Sequence, residues 1–256
     1  MHKSMIKKFY LSLTSIFIFI LHLPFVFAKI KPAENNLIKS KIQNITSTFT
    51  GILPLINNQP RVYDSLKLNT LGLSKQAFDY ALKGFNYLKS LGKVHNDDIL
   101  SIVDFSLPSS KKRLFILDMT NFKVLFNTYV AHGRNSGKEY ANQFSNENES
   151  YKSSLGFYVT GDTYSGNHGF SLRLEGEESG INDNALNRGV VMHSAWYVDE
   201  SIVKSQGYIG RSQGCPAIPE SLHKPIIEKI KNGTCLFLYS PDLNYINHSK
   251  ILHGAA

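Results

Sequence analysis

The stretch from Arg188 to Pro219 holds the most informative pattern in the chain. It opens with Arg-Gly-Val-Val-Met-His193 and later reads Ser212-Gln-Gly-Cys215-Pro. The first part is a short apolar run, which predicts a strand that ends at the histidine, and the second is a turn of small residues. A cysteine nucleophile reacts as the thiolate, and a nearby imidazole takes its proton or stabilises its charge. The stretch therefore predicts a nucleophilic Cys/His pair.

The small residues around Cys215 suit an approaching carbonyl group. Gly214 removes the side chain beside the sulfur, and the N–H groups of Gly214 and Cys215 are candidates for an oxyanion hole. Ser212 can shape the turn, orient His193, or be an ordinary turn serine. No Asp or Glu stands out as the third group that would fix the imidazole tautomer.

His193, Ser212, Gly214 and Cys215 resemble the His…Ser/Thr-x-Gly-Cys signature of L,D-transpeptidases, the YkuD-like enzymes of the bacterial envelope. Further blocks over roughly Leu73 to Ser240 resemble the murein L,D-transpeptidase catalytic domain family. They read Val-Ala-His132-Gly-Arg-Asn-Ser-Gly, Ser153-Ser-Leu-Gly-Phe, Ser171-Leu-Arg-Leu and Gly210-Arg-Ser-Gln-Gly-Cys-Pro-Ala. Two places differ from the common signature: Gln213 replaces its histidine, and Pro216-Ala217 follows the cysteine where Asn or Arg is frequent.

The resemblance implies a curved β-sandwich or barrel-like sheet with the cysteine loop at one rim. It also implies a cysteine acyltransferase of cell-wall biogenesis, in which Cys215 attacks a peptidoglycan tetrapeptide stem and passes the acyl group to an amine. Two alternatives stay open. A carboxypeptidase or endopeptidase would resolve the same acyl-enzyme with water, and a wall-binding domain would do no chemistry. Retention of both His193 and Cys215 argues against the binding domain, because binding requires neither.

Four further residues are candidates for substrate contacts. The guanidinium of Arg211 suits a stem-peptide carboxylate, and Arg134 is a second candidate of this kind. His132 ends a predicted strand before the long polar segment 134–154, which we interpret as a rim or lid over the cleft, with a solvent loop as the alternative. Trp196 suits either the acceptor side of the cleft or the core.

Short apolar runs dominate the chain after residue 98 and predict a mainly β domain with helical cover, an α+β fold. The predicted strands are Ile99–Phe105, Arg113–Met119, Phe122–Ala131, Gly156–Gly161, Phe170–Glu175, Gly189–His193 and Thr234–Tyr239. Helices are predicted from the capping residue Ser74 to Leu91, over Pro219–Lys231 and near Leu37–Thr50. The predicted organisation is a signal peptide 1–28, an extension 29–97 with its helix 74–91, a catalytic domain 98–241 and a tail 242–256 that is loose from His248 onward.

Composition excludes several classes of partner. Aromatic residues make up 12% and charged residues 19% of the 256 residues, which suits a folded domain with a core. The formal net charge of +8 comes from scattered basic residues, so we expect no nucleic-acid partner. We find no Cys/His spacing for a metal and no motif for an organic cofactor. The sequence does not predict the oligomeric state.

The two cysteines of the chain are Cys215 and Cys235. Two cysteines in an exported protein allow a disulfide. However, Cys235 lies in the run Thr-Cys-Leu-Phe-Leu-Tyr, which predicts a buried strand where a thiol acts as a small apolar group. The surroundings of Cys215 suit a nucleophile, so we expect both thiols to be reduced.

The N-terminus has the order of a secretory signal peptide. Lys3, Lys7 and Lys8 precede an apolar run over Phe9–Phe27, and Val26-Phe-Ala28 supplies small residues for cleavage. An uncleaved anchor is the alternative, because the apolar run is long. We therefore expect export to the periplasm or cell envelope, with membrane contact only through this segment before cleavage.

N-terminal sequencing of the exported protein checks this expectation. Cleavage after Ala28 predicts that the mature chain begins at Lys29. Full-length protein fixed in the membrane would contradict cleavage, although it would leave export itself intact.

Overall fold

The computed structural model describes residues 59–167 and 169–254. The strands in this part are β1 (Ile99–Asp104), β2 (Leu114–Asp118), β3 (Lys123–Thr128), β4 (Gly156–Gly166), β5 (Gly169–Gly176), β6 (Val191–Ser194), β7 (Ala217–Ile218) and β8 (Cys235–Tyr239). The helices are α1 (Gln59–Ser65), α2 (Lys75–Ser90), α3 (Glu200–Gln206), α4 (His223–Ile230), α5 (Leu243–His248) and α6 (Lys250–Gly254). The predicted signal peptide and the predicted helix near Leu37–Thr50 lie outside the described residues.

The strands form one sheet in the order β3-β2-β1-β8-β4-β5-β6-β7. The β1–β8 and β6–β7 pairs are parallel, and the other neighbours are antiparallel. After β3 the chain turns to the opposite edge, where the N–H of Ala131 donates to the carbonyl of Ala217 over 2.8 Å and Gly133 forms a bridge with Ser212. These contacts join the two edges of the sheet. The predicted mainly β, barrel-like fold with helical cover is confirmed.

The core lies between the central strands and α2. Every residue of β1, β2 and β8 is buried, which explains why these strands are mostly apolar. Helix α2 begins where predicted, with the side chain of Ser74 accepting a hydrogen bond from the N–H of Ala77. Its buried face includes Phe78, Phe85 and Leu88. At Gly84 a Cβ atom would lie 2.0 Å from the ring of Phe157. The glycine therefore lets α2 pack directly on β4.

Several elements differ from the predictions. Helix α1 lies in the predicted extension 29–97, where no helix was expected at this position, and α3 and β7 were not expected either. Helix α3 is short and has no buried residue, so it lacks an apolar periodicity, while the two residues of β7 are too few for one. Helix α4 begins at His223 rather than at Pro219, which places Pro225 in its first turn, where a missing N–H is tolerated.

The C-terminal tail is helical rather than loose, and one buried carboxylate holds it. Glu178 accepts hydrogen bonds from the N–H of Phe157 at 2.8 Å, from the hydroxyl of Tyr245 at 3.0 Å and from the hydroxyl of Ser249. Burial raises the pKa of Glu178, while the hydrogen bonds from Ser249, Phe157 and Tyr245 oppose this shift. These contacts bind α5 and α6 to β4, so the earlier expectation of a loose end is wrong.

Both cysteines are reduced, as predicted. Cys235 is fully buried in β8, and burial raises the pKa of its thiol. A buried, protonated thiol is chemically inert packing. None of the helices in the described part of the chain has the length and apolar character needed to cross a bilayer.

Candidate active site

A cleft of about 770 Å³ contains both members of the predicted Cys/His pair. His193 lies on β6, and Cys215 lies in the turn that leads into β7. Because β6 and β7 run parallel with His193 opposite Ala217, Cys215 lies two residues before the strand partner of the histidine. Arg211 and Ser212 also line the cleft, with a wall that includes Glu149, Tyr151, Tyr164, Arg188 and Tyr197.

The sulfur of Cys215 lies against the start of β6. The N–H of Val191 points to Sγ at 3.5 Å, and the thiol lies 3.7 Å from the carbonyl oxygen of Gly189. Burial raises the pKa of the Cys215 thiol, while the Val191 N–H and the charge of Arg188 act in the opposite direction. Ionisation of this thiol therefore depends on the groups around it.

The imidazole of His193 is held in one tautomer by a backbone carbonyl. Its Nδ1 lies 2.8 Å from the carbonyl oxygen of Ser194. A carbonyl only accepts hydrogen bonds, so Nδ1 carries the proton, and Nε2 of the neutral ring is the nitrogen that can take another. This carbonyl occupies the role that a carboxylate has in a Ser-His-Asp triad. Sequence reasoning could not find it, since every residue has a carbonyl.

Ser212 shapes the cysteine turn. Its hydroxyl donates to the carbonyl of Cys215 over 2.6 Å and accepts from the N–H of Gly214 over 3.1 Å. The Gly214 N–H is therefore engaged within the turn, and the expectation that it faces an oxyanion is not met in this structure. Gly214 instead has two structural roles. Its φ of +125° is a conformation that favours glycine, and a Cβ at this position would lie only 2.8 Å from the carbonyl oxygen of Lys152.

The long segment 134–154 forms part of the cleft wall through Glu149 and Tyr151. Both residues have left-handed backbone, with φ of 55° and 52°, which is uncommon for residues other than glycine. Such strain persists only where surrounding contacts fix the backbone. Arg188 supplies four of these contacts, to Ser145, Ser150, Lys152 and Ser154. Arg188 is also the first residue of the stretch 188–219, which holds the most informative pattern in the sequence.

The side chain of His132 lies in the interior and does not line the cleft. It is fully buried, with Nδ1 accepting from Nη2 of Arg113 at 2.7 Å and Nε2 donating to the carbonyl of Gly137 at 3.1 Å. Arg113 is itself buried and also donates to the carbonyl of Val130. The prediction that His132 contacts the substrate is therefore wrong for this structure. Its position depends on Arg113, which no local pattern links to it.

Arg134, Trp196 and Arg211 meet in a side cleft of about 380 Å³. Arg211 and Tyr197 line both clefts and so lie at their junction. Trp196 is 70% exposed and makes an edge-to-face contact with Tyr197, which excludes the core-packing alternative. Arg134 stacks over the ring of Tyr151 at 4.0 Å. The structure thus brings these predicted residues together beside the Cys/His pair.

Within residues 59–167 and 169–254, no group of three or more His, Cys, Asp or Glu side chains is arranged to hold a metal ion. The groups that line the cleft include a thiol, an imidazole and two guanidinium groups. This set suits acyl transfer through a covalent intermediate.

A family profile described as L,D-transpeptidase catalytic domain matches residues 69–239. The chain belongs to this family, and the resemblance noted in the sequence is confirmed. A comparison with curated proteins gave no match. The family assignment rests on the profile match.

The solved structures that match this chain include L,D-transpeptidases. An L,D-transpeptidase from Mycobacterium smegmatis is 15% identical with a TM-score of 0.35, and the match covers 56% of this chain and 59% of that one. The helical cell shape determining protein Pgp2 from Campylobacter jejuni is 14% identical with a TM-score of 0.38, covering 64% and 56%. An L,D-transpeptidase from Enterococcus faecium is 14% identical with a TM-score of 0.33, covering 56% and 50%. The match thus spans little more than half the length of these proteins.

Burial of His132 predicts a pH dependence of stability. Burial first, and then the charge of Arg113, lowers the pKa of His132 to about 3. A histidine in the unfolded chain titrates near ~6.5, so the unfolded state binds more protons between these values. The free energy of unfolding should therefore decrease as the pH falls from about 6.5 towards 3. Urea denaturation at several pH values measures this slope.

His132→Gln is the matched variant, because an amide can accept from Arg113 and donate to Gly137 without titrating. It should show a shallower loss of stability over the same pH range. Identical slopes in the two proteins would contradict the assignment of a neutral, buried His132.

Proposed function

We propose that this chain is an exported L,D-transpeptidase that acts on peptidoglycan, with Cys215 as nucleophile and His193 as general base. The observation that carries the proposal is the shared cleft, in which the Ser194 carbonyl fixes the proton on Nδ1 of His193. Nε2 is then the basic nitrogen, and we assign to it the deprotonation of the Cys215 thiol. Membership of the L,D-transpeptidase family supports the choice of substrate.

The proposed reaction has two acyl transfers. His193 takes the thiol proton, and the Cys215 sulfur attacks the carbonyl of the L-centred residue in a tetrapeptide stem. The tetrahedral intermediate collapses, the amide bond breaks, and the imidazolium returns the proton to the departing amine of D-alanine. An amine of a neighbouring stem then attacks the thioester, loses a proton to His193, and expels the thiolate. The product is a cross-link between two stems.

The turn geometry limits which amide groups can stabilise the oxyanion. The Gly214 N–H donates to Ser212, so we assign the stabilising role to the N–H of Cys215. The absent side chain at position 214 lets the carbonyl of Lys152 pack directly against the turn.

Arg211, Arg134 and Trp196 are the proposed contacts for the stems. The guanidinium of Arg211 lies at the junction of the two clefts, where a single stem carboxylate could be held beside the reacting carbonyl. Its one hydrogen bond in the structure, to the carbonyl of Gly137, is long at 3.4 Å, so a carboxylate can replace it at little cost. Trp196 and Arg134 give the side cleft an apolar face and a positive charge for the second stem.

Turnover of muropeptides tests the proposed mechanism. Cys215→Ala should abolish turnover, and His193→Ala should slow it by ~10²–10⁴-fold, as expected for loss of a general base. Cys235→Ala is the matched control, because this second thiol is fully buried and inert; it should turn over like wild type with a modest loss of stability. Mass spectrometry of the muropeptide products measures the turnover of each variant.

The products also separate the candidate functions. Cross-linked dimers indicate the transferase, and trimmed monomers indicate a hydrolase that uses the same acyl-enzyme. Unchanged muropeptides that remain bound indicate a wall-binding domain. A folded Cys215→Ala protein that processes muropeptides at the wild-type rate would contradict the mechanism.

Arg211→Gln tests the proposed carboxylate contact. Loss of a charged hydrogen bond should lower kcat/KM by about tenfold, mainly through KM, because the reacting groups stay in place. Lys138→Gln is the matched control: it removes one exposed positive charge nearby, which stacks over Tyr208 and does not line the main cleft. Equal effects of both variants would show that only net charge matters.

A further inference from the structure

Arg188 has a distinctive position between the cysteine turn and the segment 145–154. Nη1 donates to the carbonyl of Ser145 at 2.8 Å and the hydroxyl of Ser154 at 2.5 Å. Nη2 donates to the hydroxyl of Ser150 at 3.1 Å and the carbonyl of Lys152 at 2.7 Å. The guanidinium is thus held by four hydrogen bonds and has little freedom to move.

All four acceptors of Arg188 are neutral oxygens. Among the described residues, no carboxylate forms a salt bridge with this guanidinium. Its positive charge is therefore fixed in place without a partner that neutralises it. A half-buried charge of this kind is screened less by salt and solvent than one at the surface.

The fixed charge lies next to the nucleophile turn. A Cβ on Gly214 would be 3.5 Å from Nη2 of Arg188, and Gly214 directly precedes Cys215. The residue after Arg188, Gly189, carries the carbonyl that contacts the sulfur. Both Arg188 and Cys215 line the cleft, so the charge and the sulfur share one environment.

We propose that Arg188 is a positioning residue that favours the thiolate form of Cys215 with its fixed charge while it anchors the cleft wall. The proposal rests on the proposed function, in which this thiolate is the nucleophile. A purely structural role, in which Arg188 only ties down segment 145–154, is the competing explanation. The two differ in whether the charge itself changes the ionisation of the thiol.

Other groups around Cys215 also act on its ionisation. Burial opposes the thiolate, whereas the Val191 N–H and Arg188 favour it. Burial lowers the pKa of Arg188, and Tyr158 and Cys215 oppose this shift. Burial, with a smaller contribution from Cys215, raises the pKa of Tyr197 to about 12. The titratable and charged side chains that line the same cleft are Glu149, Tyr151, Tyr164, Arg188, His193, Tyr197 and Arg211.

The pH dependence of Cys215 alkylation by iodoacetamide tests the proposal in the full chain without any substrate. Only the thiolate reacts, so the midpoint of the rate profile reports the pKa of the thiol. Arg188→Met should raise this midpoint by about one pH unit, which leaves about tenfold less thiolate at neutral pH. Peptide mapping assigns the label to Cys215 rather than to the buried Cys235.

Two further variants keep the test decisive. Arg188→Gln is neutral but keeps an amide donor for the segment, so it should show the same upward shift even if Arg188→Met does not fold. Arg188→Lys keeps the charge without the fork of donors, and its midpoint should stay within about half a unit of wild type. A midpoint in Arg188→Lys that shifts as far as in the neutral variants would overturn the proposal.

The double variant Ser150→Ala/Ser154→Ala is the matched control for anchoring. It removes two acceptors of Arg188 while the charge remains. Hydrogen exchange in segment 145–154 should become faster, and the alkylation midpoint should not move. If this variant shifts the midpoint as much as Arg188→Gln does, or if Arg188→Gln leaves it unchanged, the charge has no such role. The proposed function would fail separately, through wild-type turnover by Cys215→Ala.

Discussion

The geometry of the site depends on the hydroxyl of Ser212. By accepting from the N–H of Gly214 and donating to the carbonyl of Cys215, it folds the turn into one shape. β7 follows at once, and its parallel pairing with β6 brings His193 to the same cleft. The carbonyl of Lys152 packs against Gly214, so the cleft wall is held to the same turn. A larger residue at 214 would push the wall and the nucleophile apart.

Burial of Cys215, the proposed nucleophile, has opposing consequences. Removal of the Cys215 sulfur from water raises its pKa, and the same low-polarity surroundings strengthen each interaction that favours the thiolate. Two such groups come from a single short stretch: the guanidinium of Arg188 and the N–H of Val191. In the proposed reaction the resting thiol is therefore protected, and its activation depends on the imidazole that faces the cleft with a defined tautomer.

The sequence predicted the Cys215/His193 pair and the main strands because both leave local patterns. A nucleophile turn favours small residues, and fully buried strands are mostly apolar. The Ser194 carbonyl could not be predicted, since a backbone group has no sequence signature. The position of the buried His132 side chain depends on its hydrogen bond with Arg113. The helical tail depends on a hydrogen bond from Ser249 to Glu178, which is far from Ser249 in the sequence. Contacts of this kind appear only when the fold brings remote residues together.

Direct detection of the acyl-enzyme tests the central claim. Wild-type protein mixed with a tetrapeptide muropeptide and quenched in acid should carry a thioester whose mass equals the substrate minus D-alanine. Peptide mapping should place it on the segment from Gly210 to Pro219, and Cys215→Ala should carry none. A stable adduct on another residue, or cross-linked product formed while Cys215 is never acylated, would contradict the account.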